Sequence, residues 1–138
     1  MGPVLCIAGA SLRVGISPVS SRAVGKRGEE LAGQYLTERG YKILVRNYHG
    51  SRGEIDLIAM HGGTLLFIEV KYRRDLDQGH PAEAITPRKL AHFRSAVTEF
   101  LLSGEAPPFS ALKFDAVCII ELPGQPPSIE LFEHILGP

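Results

Sequence analysis

The middle of the chain alternates hydrophobic and polar residues in two consecutive runs, which predicts a β-hairpin. The runs Glu54–Met60 and Leu65–Tyr72 each have a period of two, as strands with one buried face do. They flank the tetrapeptide His-Gly-Gly-Thr at positions 61–64, and Gly-Gly is typical of a two-residue hairpin turn. The sequence therefore predicts two antiparallel strands joined by a tight turn.

The predicted turn determines which residues face each other across the hairpin. If the two glycines form the loop, Asp56 lies opposite Glu69 and Glu54 lies opposite Lys71. Because successive side chains of a strand point to opposite faces, all four residues are expected on one face of the sheet. Two like charges in a cross-strand pair are destabilising by up to about 1 kcal/mol. We therefore expect something to neutralise Asp56 and Glu69, and a divalent cation is the simplest candidate.

Periodicities on either side of the hairpin predict a mixed α/β fold. Residues 21–39 have apolar positions at helical spacing, and Thr86-Pro87 opens a second helix that ends at Gly104. The first strand is predicted at Tyr41–Tyr48. A strand with apolar residues on both faces is predicted at Leu112–Leu122, and a short strand or helical turn at Ile129–Ile135. The predicted order is α-β-β-β-α-β, a mixed central sheet flanked by helices in one domain over residues 21–138.

The first predicted helix carries three glycines, Gly25, Gly28 and Gly33. A glycine inside a helix costs about 1 kcal/mol relative to alanine. That cost indicates a close approach of the helix backbone, either to the sheet or to a ligand phosphate. Glu29 lies at the edge of the apolar stripe, where it can point towards the hairpin, although the helix dipole alone also favours an acid in the first turns.

Composition and cysteine content exclude several classes of protein. A chain of 138 residues with 44% hydrophobic and 22% charged residues is typical of one globular domain. Its two cysteines, Cys6 and Cys118, give neither a disulfide framework nor metal-ligand spacing, which favours a reducing, cytoplasmic location. No apolar run is long enough to span a membrane. Residues 1–20 lack the basic start of a signal peptide, and we expect a flexible N-terminal extension.

The net charge of zero hides an uneven distribution of charge along the chain. Residues 22–52 hold seven Lys and Arg against three acids, and residues 71–94 hold six against three. From residue 95 onward there is one basic residue against six acids. Positive segments on both sides of an acidic hairpin suit a polyanionic partner, although a solvated surface of mixed charge gives the same count.

An acidic pair followed by a lysine indicates metal-assisted hydrolysis. Carboxylates on paired strands have Cβ atoms about 4.5–5.5 Å apart, so their oxygens can converge on one hard cation such as Mg²⁺. Lys71 follows Glu69 by two residues, where it can orient or help deprotonate a metal-bound water. With the basic flanks, this arrangement favours hydrolysis of a phosphodiester by water attack.

Four segments together resemble a known family: GKRGEELAGQYLTERGYKILVRNY, GEIDLIA, LLFIEVKYR and GHPAEAITPRKL. They are similar to the YraN-type family of proposed endonucleases, which is related to archaeal Holliday junction resolvases and the PD-(D/E)xK nuclease superfamily. The resemblance runs from about residue 22 to residue 134. It implies a restriction-endonuclease-like core, a Mg²⁺ or Mn²⁺ ion as the sole cofactor, and a nucleic-acid substrate, DNA rather than RNA. Cleavage of branched DNA would further imply a homodimer with two active sites.

The resemblance also implies roles for individual residues. Asp56 and Glu69 would be metal ligands, Lys71 the catalytic lysine, and Glu29 the helix-borne acid that completes the site. Glu54 belongs to the same GEID motif and would support it. Ile55 stands where the superfamily has its name-giving proline, but the chemistry uses the carboxylate rather than the proline.

Other charged residues have weaker assignments. Candidate phosphate contacts are Arg73, Lys89, Arg52 and Lys26, each of which can equally be a solvated surface residue. Glu54 and Lys71 can also form a simple cross-strand ion pair. Of the five histidines, His80, in the polar loop after the hairpin, is the one candidate for a role.

The sequence leaves two alternatives to an endonuclease. The first is a non-catalytic nucleic-acid-binding module that keeps the fold and the basic surface. The second is a protein-interaction scaffold in which the acidic hairpin binds a basic partner. Salt-sensitive binding of nucleic acid without cleavage would distinguish the first from an enzyme.

Overall fold

The computed structural model describes residues 21–136. Its helices and strands are, in chain order, α1 (Ser21–Glu38), β1 (Lys42–His49), β2 (Glu54–His61), β3 (Thr64–Arg73), α2 (Pro87–Leu102), β4 (Ala111–Ile120) and β5 (Ser128–Phe132). A 3₁₀-helix at Pro81–Ala84, which the sequence did not predict, precedes α2. The order of elements confirms the predicted mixed α/β fold. The predicted extension, residues 1–20, lies outside the described residues.

The five strands form one sheet in the order β1-β2-β3-β4-β5. Neighbouring strands are antiparallel except β3 and β4, which are parallel. A parallel pair needs a crossover connection, and α2 supplies it between β3 and β4. Strand β4, predicted with apolar residues on both faces, lies inside the sheet, because β3 and β5 pair with its two sides.

Each face of the sheet carries one helix and one hydrophobic core. On the α1 side the buried residues are Leu31, Ala32, Leu36, Leu57, Ala59, Leu66, Ile68, Val117 and Ile119. On the α2 side they are Ile55, Ile58, Leu65, Phe67, Phe93, Ala96, Val97 and Phe100. Helix α2 therefore packs on the sheet through Phe93, Val97 and Phe100. Within residues 21–136, no helix is long and apolar enough to cross a membrane.

Two of the three helix glycines have a packing reason. A Cβ on Gly28 would lie 2.6 Å from the Cβ of Tyr72, and one on Gly33 would lie 2.7 Å from the Arg46 guanidinium. The predicted close approach of α1 to the sheet is therefore confirmed at these two positions. At Gly25, nothing among the described residues lies within 4 Å of such a Cβ, so packing within the described part of the chain does not explain this glycine.

The hairpin has the predicted register over the half that is next to its turn. Strands β2 and β3 pair from His61↔Thr64 to Leu57↔Ile68, with Gly62 in the left-handed conformation that the turn requires (φ +59°). The ladder ends there. Further along, Glu54 of β2 pairs with His49 of β1, and Lys71 of β3 pairs with Cys118 of β4. The predicted cross-strand pair Glu54–Lys71 is therefore wrong, and Asp56 and Glu69 are not a ladder pair.

The separation of the two strands has a local cause at Asp56. Ile55 is buried against α2 and Leu57 against α1, although they are two residues apart. Residues two apart in a regular strand lie on the same face, so the alternation is interrupted between Ile55 and Leu57. The prediction that the two acids of β2 share one face with Glu69 and Lys71 is therefore wrong as well. At the corresponding position of β1, Asn47 has a left-handed backbone (φ +55°). The Asp56 carboxylate accepts a hydrogen bond from the backbone N–H of Val70 at 2.7 Å, and this side-chain bond takes the place of a ladder bond.

Candidate active site where two strands separate

An open cleft lies where β2 and β3 separate, between the first turns of α1 and of α2. Its volume is about 710 Å³. Eight of the nine predicted site residues line it: Glu29, Arg52, Glu54, Asp56, Glu69, Lys71, Arg73 and Lys89. The ninth, Lys26, lies in a neighbouring groove. Sequence elements spread over about sixty positions are thus brought to one place.

The carboxylates of Asp56 and Glu69 form the centre of the cleft. Burial raises the pKa of Asp56 to about 8, and a hydrogen bond and the negative charge of Glu69 contribute to the rise. A hydrogen bond between two carboxyl groups needs a proton on one of them, so without a cation the pair holds a proton at neutral pH. The two acids are therefore brought together, as predicted, although they do not face each other in the ladder.

Two lysines from different elements meet beside this pair. Lys71 Nζ is 3.5 Å from Glu69 Oε2, and both side chains are mostly buried, with exposed fractions of 17% and 16%. Lys89, in the first turn of α2, lies close enough to Lys71 for a side-chain contact. This contact and the charge of Lys71 lower the pKa of Lys89, and Arg73 contributes to the shift. Three cationic groups, Lys71, Arg73 and Lys89, therefore lie close together beside the two acids.

Arg73 carries a polar group without a partner. Its Nε atom is buried, and among residues 21–136 it has no hydrogen-bond acceptor. A buried donor without an acceptor is unfavourable by about 1–3 kcal/mol. The crowded group of cations on this wall would be stabilised by a bound anion.

Glu29 reaches the cleft from α1 and is held by Asn47. The Asn47 Nδ2 atom donates a hydrogen bond to Glu29 Oε1 at 2.7 Å. Burial raises the pKa of Glu29; the Asn47 hydrogen bond opposes this rise, and the charge of Asp56 adds to it. Sequence reasoning missed Asn47. The available signal was the residue type, because Asn is several-fold enriched among non-glycine residues with positive φ.

Glu54 has a different partner from the predicted one. Its carboxylate lies 3.7 Å from His49 Nδ1, on the β1 side of the cleft, so the predicted ion pair with Lys71 is wrong. Gly53, the residue before it, allows β2 to start against α2, because a Cβ there would overlap the backbone carbonyl of His92. His49 and His92 both line the cleft, and no spacing signal in the sequence indicated them.

His80, the one histidine singled out from the sequence, has a structural position. Its Nδ1 accepts a hydrogen bond from Ala82 N–H at 3.0 Å and caps the 3₁₀-helix. The ring contacts Phe132 edge-on. His80 does not line the cleft, and the capping contact accounts for it.

A buried network fixes α1 against the sheet next to the site. The Arg27 guanidinium donates two hydrogen bonds to Glu121, at 3.1 and 2.7 Å, and Tyr72 Oη donates a third at 2.6 Å. Burial alone would raise the pKa of Glu121, but the hydrogen bonds from Arg27 and Tyr72 outweigh burial and hold it below its usual range. This network, with the Gly28–Tyr72 contact, positions the helix turn that carries Glu29.

The donor set of the cleft suits an ion that keeps most of its water. Within residues 21–136, no group of three or more His, Cys, Asp and Glu side chains is arranged to enclose a metal ion. Mg²⁺ is usually held by one or two carboxylates and completed by waters and substrate oxygens. Asp56 and Glu69 supply those two carboxylates, and an open cleft leaves the remaining positions accessible.

Fold and cleft define a mixed α/β protein with a carboxylate–lysine centre at the separation of two strands. Residues 28–119 match the sequence model of the uncharacterised protein family UPF0102, and the chain belongs to this family. It is the YraN-type family that the four motifs indicated. The matched segment begins next to Glu29 and includes the whole hairpin and α2.

Several relatives in this family are similar over most of their length. A UPF0102 protein of Chlorobaculum parvum is 45% identical over 97 residues, which are 70% of this chain and 74% of the relative. One from Rhodococcus jostii is 46% identical over 109 residues, 78% of this chain and 91% of the relative. One from Syntrophomonas wolfei is 44% identical over 100 residues, 72% and 86% respectively.

Proposed function

We propose that this protein is a metal-dependent endonuclease that hydrolyses phosphodiester bonds of DNA. The observation that carries the proposal is the pair Asp56 and Glu69 with Lys71 3.5 Å from Glu69. Two partly buried carboxyl groups lie together, a lysine adjoins them, and a cationic wall lies beside them. This combination is what metal-assisted attack of water on a phosphodiester requires.

The residues present fit a divalent ion. Asp56 and Glu69 would hold Mg²⁺ or Mn²⁺, which would replace the proton that the two carboxyl groups otherwise share. Bound there, the ion would supply Lewis-acid stabilisation of the phosphate oxygens and a more acidic water. No other cofactor is needed for this chemistry.

The other residues of the cleft have roles that follow from their charges. Lys71 would orient the attacking water and stabilise the negative charge that develops on the phosphate. Lys89 and Arg73 would bind phosphate oxygens on the same wall, where the buried Arg73 Nε lacks an acceptor. Glu29, held by Asn47, adds a third acid from α1, and Arg52 lines the same cleft from the connection between β1 and β2.

The substrate and setting that we propose are those of the nuclease superfamily this family resembles. The core would be restriction-endonuclease-like, the location cytoplasmic, and the substrate branched or otherwise structured DNA. Cleavage of both strands at a junction needs two active sites, which a homodimer would supply.

A double substitution tests the proposal. The full chain and its Asp56→Ala/Glu69→Ala variant are incubated with labelled single-stranded, duplex, flap and four-way-junction DNA and with matching RNA, in Mg²⁺ or Mn²⁺. We expect cleavage by the wild type and none by the variant. A Glu105→Ala/Glu130→Ala variant, which changes two exposed acids outside the cleft, serves as the control and keeps full activity.

Two results would reject the proposal in different ways. Equal cleavage by the Asp56/Glu69 variant and the wild type would exclude this centre. Salt-sensitive binding of nucleic acid with no cleavage under any divalent ion would instead favour the non-catalytic binding module.

A further inference from the structure

Gly25 lacks the packing reason that explains the other glycines of α1. Gly28 and Gly33 lie against Tyr72 and Arg46, whereas a Cβ on Gly25 would meet nothing within 4 Å among the described residues. Gly25 is exposed and its backbone is not in the left-handed conformation that favours glycine. An alanine here would favour the helix, so neither the helix nor the described packing accounts for this glycine.

The position of Gly25 between two cavities suggests what it accommodates. It lines the cleft at the separated strands and also a second groove, of about 930 Å³, between α1 and β1. The two cavities share three lining residues: Gly25, Glu29 and His49. A ligand that extends from the cleft into the groove therefore passes along these three residues, and Gly25 is the one of them that has no side chain.

The second groove differs in chemistry from the cationic wall of the cleft. Its charges are mixed, with Lys26 and Arg46 among the acids Glu29, Glu30 and Glu38. It also offers amide and hydroxyl groups from Gln34, Thr37 and Asn47. Such a lining does not concentrate phosphate by charge, but it presents the donors and acceptors that hydrogen-bond the edges of unpaired bases.

We propose that unpaired nucleotides next to the scissile phosphate cross α1 at Gly25 and lie in the groove between α1 and β1. The inference rests on the proposed function, since it takes the cleft to hold the phosphate. It deepens that function by naming the substrate class: nucleic acid with a single-stranded segment adjoining the cleavage position. Gly25 is the residue that admits this segment.

Substitutions that introduce a side chain at position 25 test the proposal. We compare the wild type with Gly25→Ala and Gly25→Leu, and with Ala23→Leu, which adds bulk at an exposed position of the same helix that lines neither cavity. Binding of fluorescein-labelled DNA is measured by anisotropy without divalent ions, for a single strand, a blunt duplex and a duplex with a single-stranded overhang. Thermal unfolding is measured in parallel.

The expected result has opposite signs for stability and binding. Gly25→Ala should raise the melting temperature, because alanine favours the helix. It should weaken binding of the single strand and the overhang, and Gly25→Leu should weaken it roughly tenfold, about 1.4 kcal/mol. Binding of the blunt duplex, and all binding by Ala23→Leu, should stay unchanged within about twofold.

Each other outcome overturns the inference. Unchanged binding of the overhang by Gly25→Leu would show that no strand passes there, while the proposed nuclease function would stand. A lower melting temperature for Gly25→Ala would show that the chain itself fills the space. Failure of the wild type to bind any of the three probes would count against the proposed function as well.

Discussion

The fold surrounds two acids in opposite ways: Asp56 lies in β2, and Glu121 directly follows β4. Glu121 accepts two hydrogen bonds from Arg27 and one from Tyr72, and although burial opposes it, these bonds keep its pKa below the usual range. Asp56 is more deeply buried, its nearest titratable neighbour is another acid, and its pKa rises to about 8. The first arrangement stabilises the folded chain, and the second does not.

The difference teaches how to separate a structural acid from a candidate functional one. Where the fold needs an acid, as at the junction of α1 with β3 and β4, it supplies a matching cation with good geometry. At the separated strands it places two acids together, and the nearby lysine is 3.5 Å from only one of them, Glu69. Ionising such a carboxyl in the folded chain is unfavourable, so a cation that binds the ionised pair would offset this cost, and the arrangement supports the proposal of a metal ion there.

The largest expected effect is on activity. Asp56→Asn removes one carboxylate of the pair but keeps its size, so cleavage should fall by about 10³-fold or more. Glu121→Gln should leave kcat within a few-fold, because Glu121 acts on the position of α1. Isothermal titration with Mg²⁺ should show a parallel loss of binding for Asp56→Asn alone. Loss of Mg²⁺ binding in the Glu121 variant instead would remove the distinction between the two acids.

Substitution of Glu121 should have a larger effect than substitution of Asp56 when stability, rather than activity, is measured. Glu121→Ala leaves Arg27 without its ion pair and Tyr72 without its acceptor, in a region where the Glu121 side chain is 17% exposed. We expect a loss of about 1–3 kcal/mol in the free energy of unfolding, determined by urea denaturation. Asp56→Asn, which replaces a carboxyl that holds a proton at neutral pH by a neutral amide of similar size, should be neutral or stabilising without metal. A destabilised Asp56→Asn protein would show that this carboxylate supports the fold.

The two acids also predict opposite dependence of stability on pH. A raised pKa means that folded Asp56 holds a proton which the unfolded chain has lost, so stability should fall as the pH rises between about 4 and about 8. The slope for one group is at most about 1.4 kcal/mol per pH unit. Glu121, with a lowered pKa, contributes stability above its unfolded pKa and loses it as the pH falls through its folded value.

Urea denaturation between pH 5 and pH 8 checks the first of these slopes. The wild type without metal should lose stability across this range, and Asp56→Asn should remove most of that loss. Saturating Mg²⁺ should reduce the slope in the wild type, because the ion binds the unprotonated pair. An identical slope in wild type and Asp56→Asn would mean that Asp56 does not carry the shared proton.

The sequence predicted the elements well, and it predicted that Asp56 and Glu69 come together, because both depend on local signals. Gly62-Gly63 determined the turn and the first five pairs of the hairpin, and periodicity predicted both helices. The sequence did not predict where the two strands separate. That point depends on the left-handed Asn47 in another strand and on the contact of Gly53 with α2. The Arg27–Glu121 bond joins residues 94 positions apart, a distance over which local patterns carry no information.

The smallest expected effect concerns the cationic wall rather than the acids. Lys89→Ala removes one of the three neighbouring cations Lys71, Arg73 and Lys89. Binding of DNA should therefore weaken a few-fold, and the slope of log affinity against log salt should fall by about 1. Lys42→Ala, an exposed lysine of β1 that lines neither the cleft nor the groove, is the matched control and should leave the slope unchanged. Equal slopes for wild type and Lys89→Ala would mean that phosphate is bound elsewhere. In that case Asp56 and Glu69 would form a metal site without an adjoining phosphate-binding surface. Their contrast with Glu121 would then identify a cation site rather than a nuclease centre.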